Sequence, residues 1–141
     1  EENSSLKKQI EELIREKAAR IKDKLVEQAI EIEGIRVVST VMPASAALVK
    51  DITFGIRAEY PKSTIIVIGS HENGKPMITV SVSDDLTSRF NAGQMVREAA
   101  KLIQGGGGGQ PHFATAGGKN SEGLHAAVEA VKETVAVTPA S

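Results

Sequence analysis

A run of five glycines, Gly105–Gly109, lies well inside the chain, between two segments that each have the pattern of ordered structure. Glycine lacks a β-carbon, so a glycine run lets a partner approach the main chain closely and offers a row of N–H donors. A phosphate or a sugar-phosphate backbone suits such a row. The alternative is a flexible linker, but no linker is needed between a helix and the next element of one domain.

Polar residues and a second glycine pair follow the run and extend it into a composite loop. Known nucleotide motifs do not describe this loop. A P-loop needs Gly-Lys followed by Ser or Thr, whereas Lys119 precedes Asn120. A dinucleotide fingerprint follows a strand and opens a helix, whereas Gly105 follows a predicted helix. We therefore expect a backbone-binding loop outside both motif classes.

Residues 5–33 have the periodicity of one amphipathic helix, with apolar residues three or four positions apart and charged residues between them. Gly34 is suited to end it. A helix of about 28 residues would be on the order of 42 Å long, more than a small domain requires. Its apolar stripe packs on its own domain, on a second helix or on another copy of the chain; for the last case the interface residues are Ile10, Ile14, Ile21 and Leu25.

After residue 34 the period changes to that of strands and shorter helices. Ile35–Met42 and Thr64–Ser70 are predicted strands joined by a helix over 44–60, so they should be parallel. Asn73-Gly74 predicts a hairpin to the strand 77–83. The predicted class is α/β, bordering on α+β: a small mixed sheet packed with helices and preceded by a long projecting helix. We divide the chain into a helical segment, 1–34, and a globular domain, 35–141.

Charge is unevenly distributed along the chain. The whole sequence has 17 Lys+Arg and 18 Asp+Glu, a net charge of −1, so a role with nucleic acid must depend on local charge. Residues 89–119 contain Arg89, Arg97, Lys101 and Lys119 against Glu98 alone, which makes the surroundings of the glycine run basic. The absence of cysteine fits a reducing compartment. With no apolar run long enough for a membrane span, we expect no membrane contact and a cytoplasmic location.

Residues for metal binding or catalysis are sparse. The three histidines have no metal-ligand spacing, and cysteine ligands are excluded. The adjacent carboxylates Asp84 and Asp85 follow a strand, where loop and capping roles are common. We predict no catalytic and no metal site in this chain. Of the histidines, His112 alone lies in the glycine loop, where it could contact a ligand.

The segment GGGGGQPHFATAGGKNSEGL, residues 105–124, resembles the glycine-rich signature of the C-terminal, DHH-associated domain of alanyl-tRNA synthetases. The resemblance covers residues 35–136, and the helix before it is similar to the helical part that precedes this domain and supports oligomer contacts. Two positions depart from the family pattern: Gln110 stands where arginine is common, and His112 where aspartate is common. Glutamine can donate a hydrogen bond but carries no charge, so a phosphate contact there would be weaker.

The resemblance implies a domain that contacts the outer corner of alanine-specific tRNA, in an enzyme that joins alanine to tRNA with ATP and edits its product. ATP, magnesium and zinc would belong to the parent enzyme, and the upstream domains of that enzyme would be further partners. The residues predicted to contact nucleic acid are Gly105, Gly106, Gly107, Gly108, Gly109, Gln110, His112, Lys119, Arg97 and Lys101. Two alternatives stay open: an oligomerisation module of the same enzyme, and the substrate-positioning domain of a DHH-type phosphodiesterase, whose loop is shorter.

Overall fold

The computed structural model of the protein describes residues 2–32 and 34–137, and within these ranges six strands form one sheet. The strands are β1 (Ile30–Ile32), β2 (Ile35–Pro43), β3 (Thr64–Glu72), β4 (Lys75–Val82), β5 (Gly106–Gly109) and β6 (Phe113–Gly117). The helices are α1 (Glu2–Glu27), α2 (Ala46–Glu59), α3 (Ala92–Ala100) and α4 (Leu124–Val137). The predicted class is confirmed.

The sheet is mixed, with the strand order β1-β2-β3-β4-β6-β5. β2 and β3 are parallel because α2 connects them, as the sequence predicts, and the other neighbouring strands are antiparallel. The β3–β4 hairpin turns at Asn73 and Gly74, which both have positive φ. Positive φ at both central residues is the requirement of the turn that Asn-Gly favours, so this prediction is also confirmed.

Helices cover both faces of the sheet, and β3 shows the division clearly. Ile65 and Val67 pack in a cluster with residues of α3 and α4, whereas Ile66 and Ile68 pack in a second cluster with residues of α1 and α2. Every residue of β3 from Thr64 to Ser70 is buried, as expected of a central strand with apolar layers on both sides. The result is a three-layer arrangement of helices, sheet and helices.

The N-terminal helix is shorter than its periodicity predicts. It ends at Glu27, and residues 30–32 form an edge strand instead of a last helical turn. Ile32 pairs with Ile35 across a turn that contains Gly34, whose φ is +81°. The spacing of Ile32 fits a helix equally well, but a β-branched residue before a glycine turn gains a hydrogen-bonded ladder by pairing with β2.

The two halves of α1 have different surroundings. In the C-terminal half Ala18 and Leu25 are buried in the cluster with α2, and Lys22 forms an ion pair of 2.7 Å with Glu59 of α2. The hydrogen bond with Glu59 raises the pKa of Lys22. In the N-terminal half the apolar stripe is exposed. Among the described residues no helix is both long and apolar enough to cross a membrane. The division of the chain at residue 34 stays a prediction.

Candidate nucleic-acid interface

The glycine run is not a loop, contrary to the prediction. Gly106–Gly109 form β5, an edge strand that pairs antiparallel with β6. Strand propensity argues against this assignment, because glycine has no side chain to pack and loses much conformational freedom. Packing reverses that preference: a β-carbon on Gly107 would lie 2.5 Å from Ala116 Cα, and one on Gly105 would overlap the carbonyl oxygen of Gly117. The two strands approach so closely because side chains are absent.

Half of the main-chain groups of β5 are used by this pairing. Gln110 and Phe113 exchange both of their hydrogen bonds, at 2.9 Å and 3.3 Å. Hydrogen-bonded and non-hydrogen-bonded pairs alternate along an antiparallel ladder, so Gly108 and Gly106 also face β6. The N–H groups of Gly107 and Gly109 therefore point away from β6, at the outer edge of the sheet. The expected row of donors is reduced to alternate amides.

The N-terminal half of α3 packs against this strand. Asn91 caps the helix by accepting a hydrogen bond of 3.0 Å from the amide of Gln94. Gly93 is buried, and a β-carbon on it would lie 3.0 Å from the carbonyl oxygen of Gly109. Arg97, one turn further on, donates from Nε to the carbonyl oxygen of Gly93 at 3.2 Å. The position of a β-carbon on Gly108 lies 3.9 Å from the same Nε.

Basic side chains stand along and beside the strand. Arg97 is exposed next to the middle of β5. Lys101 is exposed at the end of α3, where the amide of Gly105 donates to the carbonyl oxygen of Ala100 at 2.9 Å. Lys119 is exposed, and its amide donates at 2.8 Å to Ile103, in the turn that follows Lys101. None of these three basic groups forms an ion pair within the part of the chain that the structure describes.

The turn between β5 and β6 contains the remaining predicted contacts, Gln110 and His112, and both are exposed. It is held from two sides. The amide of Ala92 donates to the carbonyl oxygen of Pro111 at 2.8 Å, and the amide of Val82 donates to that of His112 at 2.9 Å.

Arg57 of α2 completes this anchoring, and sequence reasoning missed it. Its Nη1 donates to Ser81 Oγ at 2.8 Å, to the carbonyl oxygen of Val82 at 2.9 Å and to that of His112 at 3.2 Å. Its Nη2 forms an ion pair with Asp84 at 3.3 Å. These partners are 24 to 55 residues away in sequence, so no local pattern could have indicated them.

The residues predicted for an oligomer interface are divided by the fold. Leu25 is buried in the chain's own core, and Ile14 and Ile21 are partly buried against it. Ile10 is 57% exposed, in line with Leu6 and Leu13 on the free part of α1. Dimerisation through this helix stays a prediction, and within the chain Leu25 is buried in the cluster that α1 forms with α2 and the sheet.

Within residues 2–32 and 34–137, no three His, Asp or Glu side chains gather as a metal site would require. Asp84 pairs with Arg57, and Asp85 accepts hydrogen bonds of 3.1 and 3.2 Å from the amide of Ser63. Both carboxylates therefore have structural partners.

The sequence pattern of the DHHA1 domain matches residues 37–137. The chain belongs to the DHHA1 domain family. It is 52% identical over 138 residues to an alanine--tRNA ligase of Bacteroides thetaiotaomicron and 47% identical over 133 residues to that of Porphyromonas gingivalis. These alignments cover 97% and 93% of this chain but 16% and 15% of the relatives.

Solved structures share the DHHA1 fold. The C-Ala domain of Aquifex aeolicus alanyl-tRNA synthetase superposes with a TM-score of 0.70 and 24% identity, covering 77% of this chain and 97% of that one. A DHH-domain member of the s1p family of ribosomal proteins gives a TM-score of 0.62 and 18% identity, with 94% and 33% covered. At these identities the likeness concerns the fold. Together with the ligase relatives, it confirms the predicted resemblance to the C-terminal domain of alanyl-tRNA synthetases.

Proposed function

We propose that this DHHA1 domain docks tRNA for an alanine--tRNA ligase, with the β5 edge and its basic neighbours as the contact surface. The observation that carries the proposal is the edge strand itself. The register turns the amides of Gly107 and Gly109 away from β6, and Arg97 Nε lies 3.9 Å from the position of a β-carbon on Gly108, between them. Gly109 also contacts the N-terminus of α3 at Gly93, so Gly107 has the more open of the two amides. Backbone amides and unpaired cations are the groups that contact nucleic-acid phosphates. The names of the relatives, alanine--tRNA ligases, indicate tRNA as the nucleic acid.

The contact is expected to position RNA rather than to read its sequence. Main-chain N–H groups and phosphates are the same for every nucleotide, so this strand cannot distinguish bases. The catalytic, ATP, magnesium and zinc sites of the proposed parent enzyme would lie in its upstream domains. The chain spans about a sixth of the length of the curated relatives it matches, which agrees with a docking role within a larger enzyme.

Salt dependence tests the proposal. Each phosphate neutralised by a cation adds about 0.7–0.9 to the slope of log affinity against log salt. Three cations, Arg97, Lys101 and Lys119, predict a slope of about −2 to −3 and a loss of about 20- to 40-fold in affinity between 50 and 200 mM salt. The measurement is a titration of alanine tRNA against the 141-residue chain at several salt concentrations.

Two double variants distinguish binding at this surface from a general effect of the chain's positive charge. Lys101→Gln with Lys119→Gln should reduce the magnitude of the slope by about 1.5–2. Lys7→Gln with Lys8→Gln removes the same charge from the exposed part of α1 and should leave the slope unchanged. A slope near zero for the wild type, or equal binding by both double variants, would contradict the proposal.

The exposed apolar stripe of α1 supports a second candidate, an oligomerisation module of the same enzyme. Leu6, Ile10 and Leu13 are 57%, 57% and 64% exposed, and the partner that covers them would be another copy of this helix or an upstream segment. Sedimentation equilibrium of the chain tests this directly, because a monomeric mass at micromolar concentration would contradict self-association through α1. The phosphodiesterase alternative has less support, since the relatives compared above are ligases.

A further inference from the structure

The chain has few aromatic residues, and two of them are stacked at the surface. Of its three phenylalanines, Phe90 is buried, whereas Phe54 of α2 is 42% exposed. The Phe54 ring lies against the ring of Phe113 in β6, with centroids 5.2 Å apart and planes inclined by 28°. Lys50, one turn earlier in α2, places its ammonium 5.8 Å from the Phe54 centroid. We call Phe54, Phe113 and Lys50 the aromatic platform.

The aromatic platform adjoins the end of the glycine strand. Phe113 is the residue that exchanges two hydrogen bonds with Gln110, directly after β5. His112, its chain neighbour, is exposed, and Arg57 of α2 fixes the carbonyl oxygen of His112 from the helix that holds Phe54. A ligand lying along β5 would therefore reach the platform after passing the Gln110–His112 turn.

The chemistry of the platform fits a nucleobase better than an apolar protein surface. The other large apolar side chains exposed within the described residues lie on the N-terminal part of α1, on β1 at the opposite edge of the sheet, and at Leu102 after α3. Phe54 thus lacks the apolar neighbours that form the core of a protein interface. Phe113 lies against one face of the Phe54 ring, and the Lys50 ammonium lies over the ring. A base would stack where the flexible Lys50 side chain turns aside, and the displaced ammonium would pair with its phosphate.

We propose that Phe54, supported by Phe113 and flanked by Lys50, is a stacking platform for one unpaired base of RNA. This inference rests on the proposed docking function and adds a contact that does not depend on charge. Any base has a π-face, so the platform would accept different nucleotides, provided that the base is unpaired and free to turn outward.

Tryptophan fluorescence tests the stacking itself. The chain has no tryptophan, so Phe54→Trp introduces a single reporter at the proposed contact. A five-nucleotide oligoadenylate should quench its emission, whereas an abasic ribose-phosphate oligomer of the same length and charge should not. Equal quenching by both oligomers, or quenching by neither, would overturn the stacking proposal.

Affinity for alanine tRNA gives a second readout. Phe54→Leu keeps an apolar side chain against Phe113 but removes the π-face, and should weaken binding about 5- to 150-fold. Its salt slope should match that of the wild type, because no charge is lost. Ile30→Val shortens an exposed apolar side chain on β1, at the opposite edge of the sheet, and serves as the control, with unchanged affinity expected.

The two proposals fail in different ways. Wild-type binding with the expected salt slope but equal affinity of Phe54→Leu would refute the platform and leave the docking function in place. Absence of tRNA binding by the wild type would refute docking, and the oligonucleotide quenching of Phe54→Trp would still decide whether this surface stacks on bases. Circular dichroism of each variant establishes that it is folded before its binding is compared.

Discussion

Two neighbouring glycines of β5 should respond oppositely to the same substitution. A β-carbon on Gly107 would lie 2.5 Å from Ala116 Cα and 2.5 Å from the carbonyl oxygen of Thr115, both main-chain atoms of the partner strand. Overpacking of this kind costs about 1–3 kcal/mol. A β-carbon on Gly106 would meet nothing within 4 Å, and this residue does not have positive φ. There alanine restricts the unfolded chain and should stabilise by about 0.4–1 kcal/mol.

The assay is thermal unfolding of the wild type, Gly106→Ala and Gly107→Ala, followed by circular dichroism. For a chain of 141 residues, 1 kcal/mol corresponds to a Tm shift of about 3 °C. Gly107→Ala should therefore lower the Tm by about 3–9 °C, while Gly106→Ala raises it by about 1–3 °C. Equal Tm values for the two variants are the result expected of a flexible glycine loop, and they would refute the paired edge strand.

Two further predictions concern side chains next to the interface. Arg57→Met removes three hydrogen bonds from Nη1 and leaves the buried Ser81 hydroxyl without this donor. The free energy of unfolding, measured in urea, should therefore fall by about 2–3 kcal/mol. The control Lys50→Met, on the same helix, should change it by less than about 0.5 kcal/mol. Burial acts to raise the pKa of Asp85, but hydrogen bonds from Ser83 and Ser63 outweigh it and hold that pKa below its ordinary value. A carboxyl group with a lowered pKa stabilises the fold at pH values above the ordinary carboxyl pKa, and this stabilisation is lost as the pH falls. Asp85→Asn should therefore lower the free energy of unfolding at pH 7 and lower it less at pH 3. An equal loss of stability at the two pH values would contradict this.

The sequence predicts best those elements whose signals are local. The unbroken β-branched run of β3 and the Asn-Gly turn both depend on neighbours within a few residues, and the structure agrees with each. The parallel pairing of β2 and β3 also follows from local information, because a helix connects them.

The errors arise where distant contacts override local preference. The helical spacing continues through Ile32, yet residues 30–32 join the sheet because β2 is available on the other side of Gly34. Likewise, no propensity favours a strand of four glycines, and β5 forms because β6 and α3 approach it more closely than any side chain would permit. The contacts of Arg57 and the stacking of Phe54 on Phe113 join residues far apart in sequence, so neither could be derived from spacing.

The absence of side chains in β5 links the stability of the domain to its proposed function. An exposed edge strand is normally a hazard, because its free amides can pair with another chain. Here the strand is only four residues long and has cations beside it, which disfavours pairing with a second, equally basic copy of the same edge. The same cations favour a polyanion. In the proposed docking function the outward amides would donate to phosphate oxygens, and the neighbouring cations would favour RNA over a second copy of the same edge.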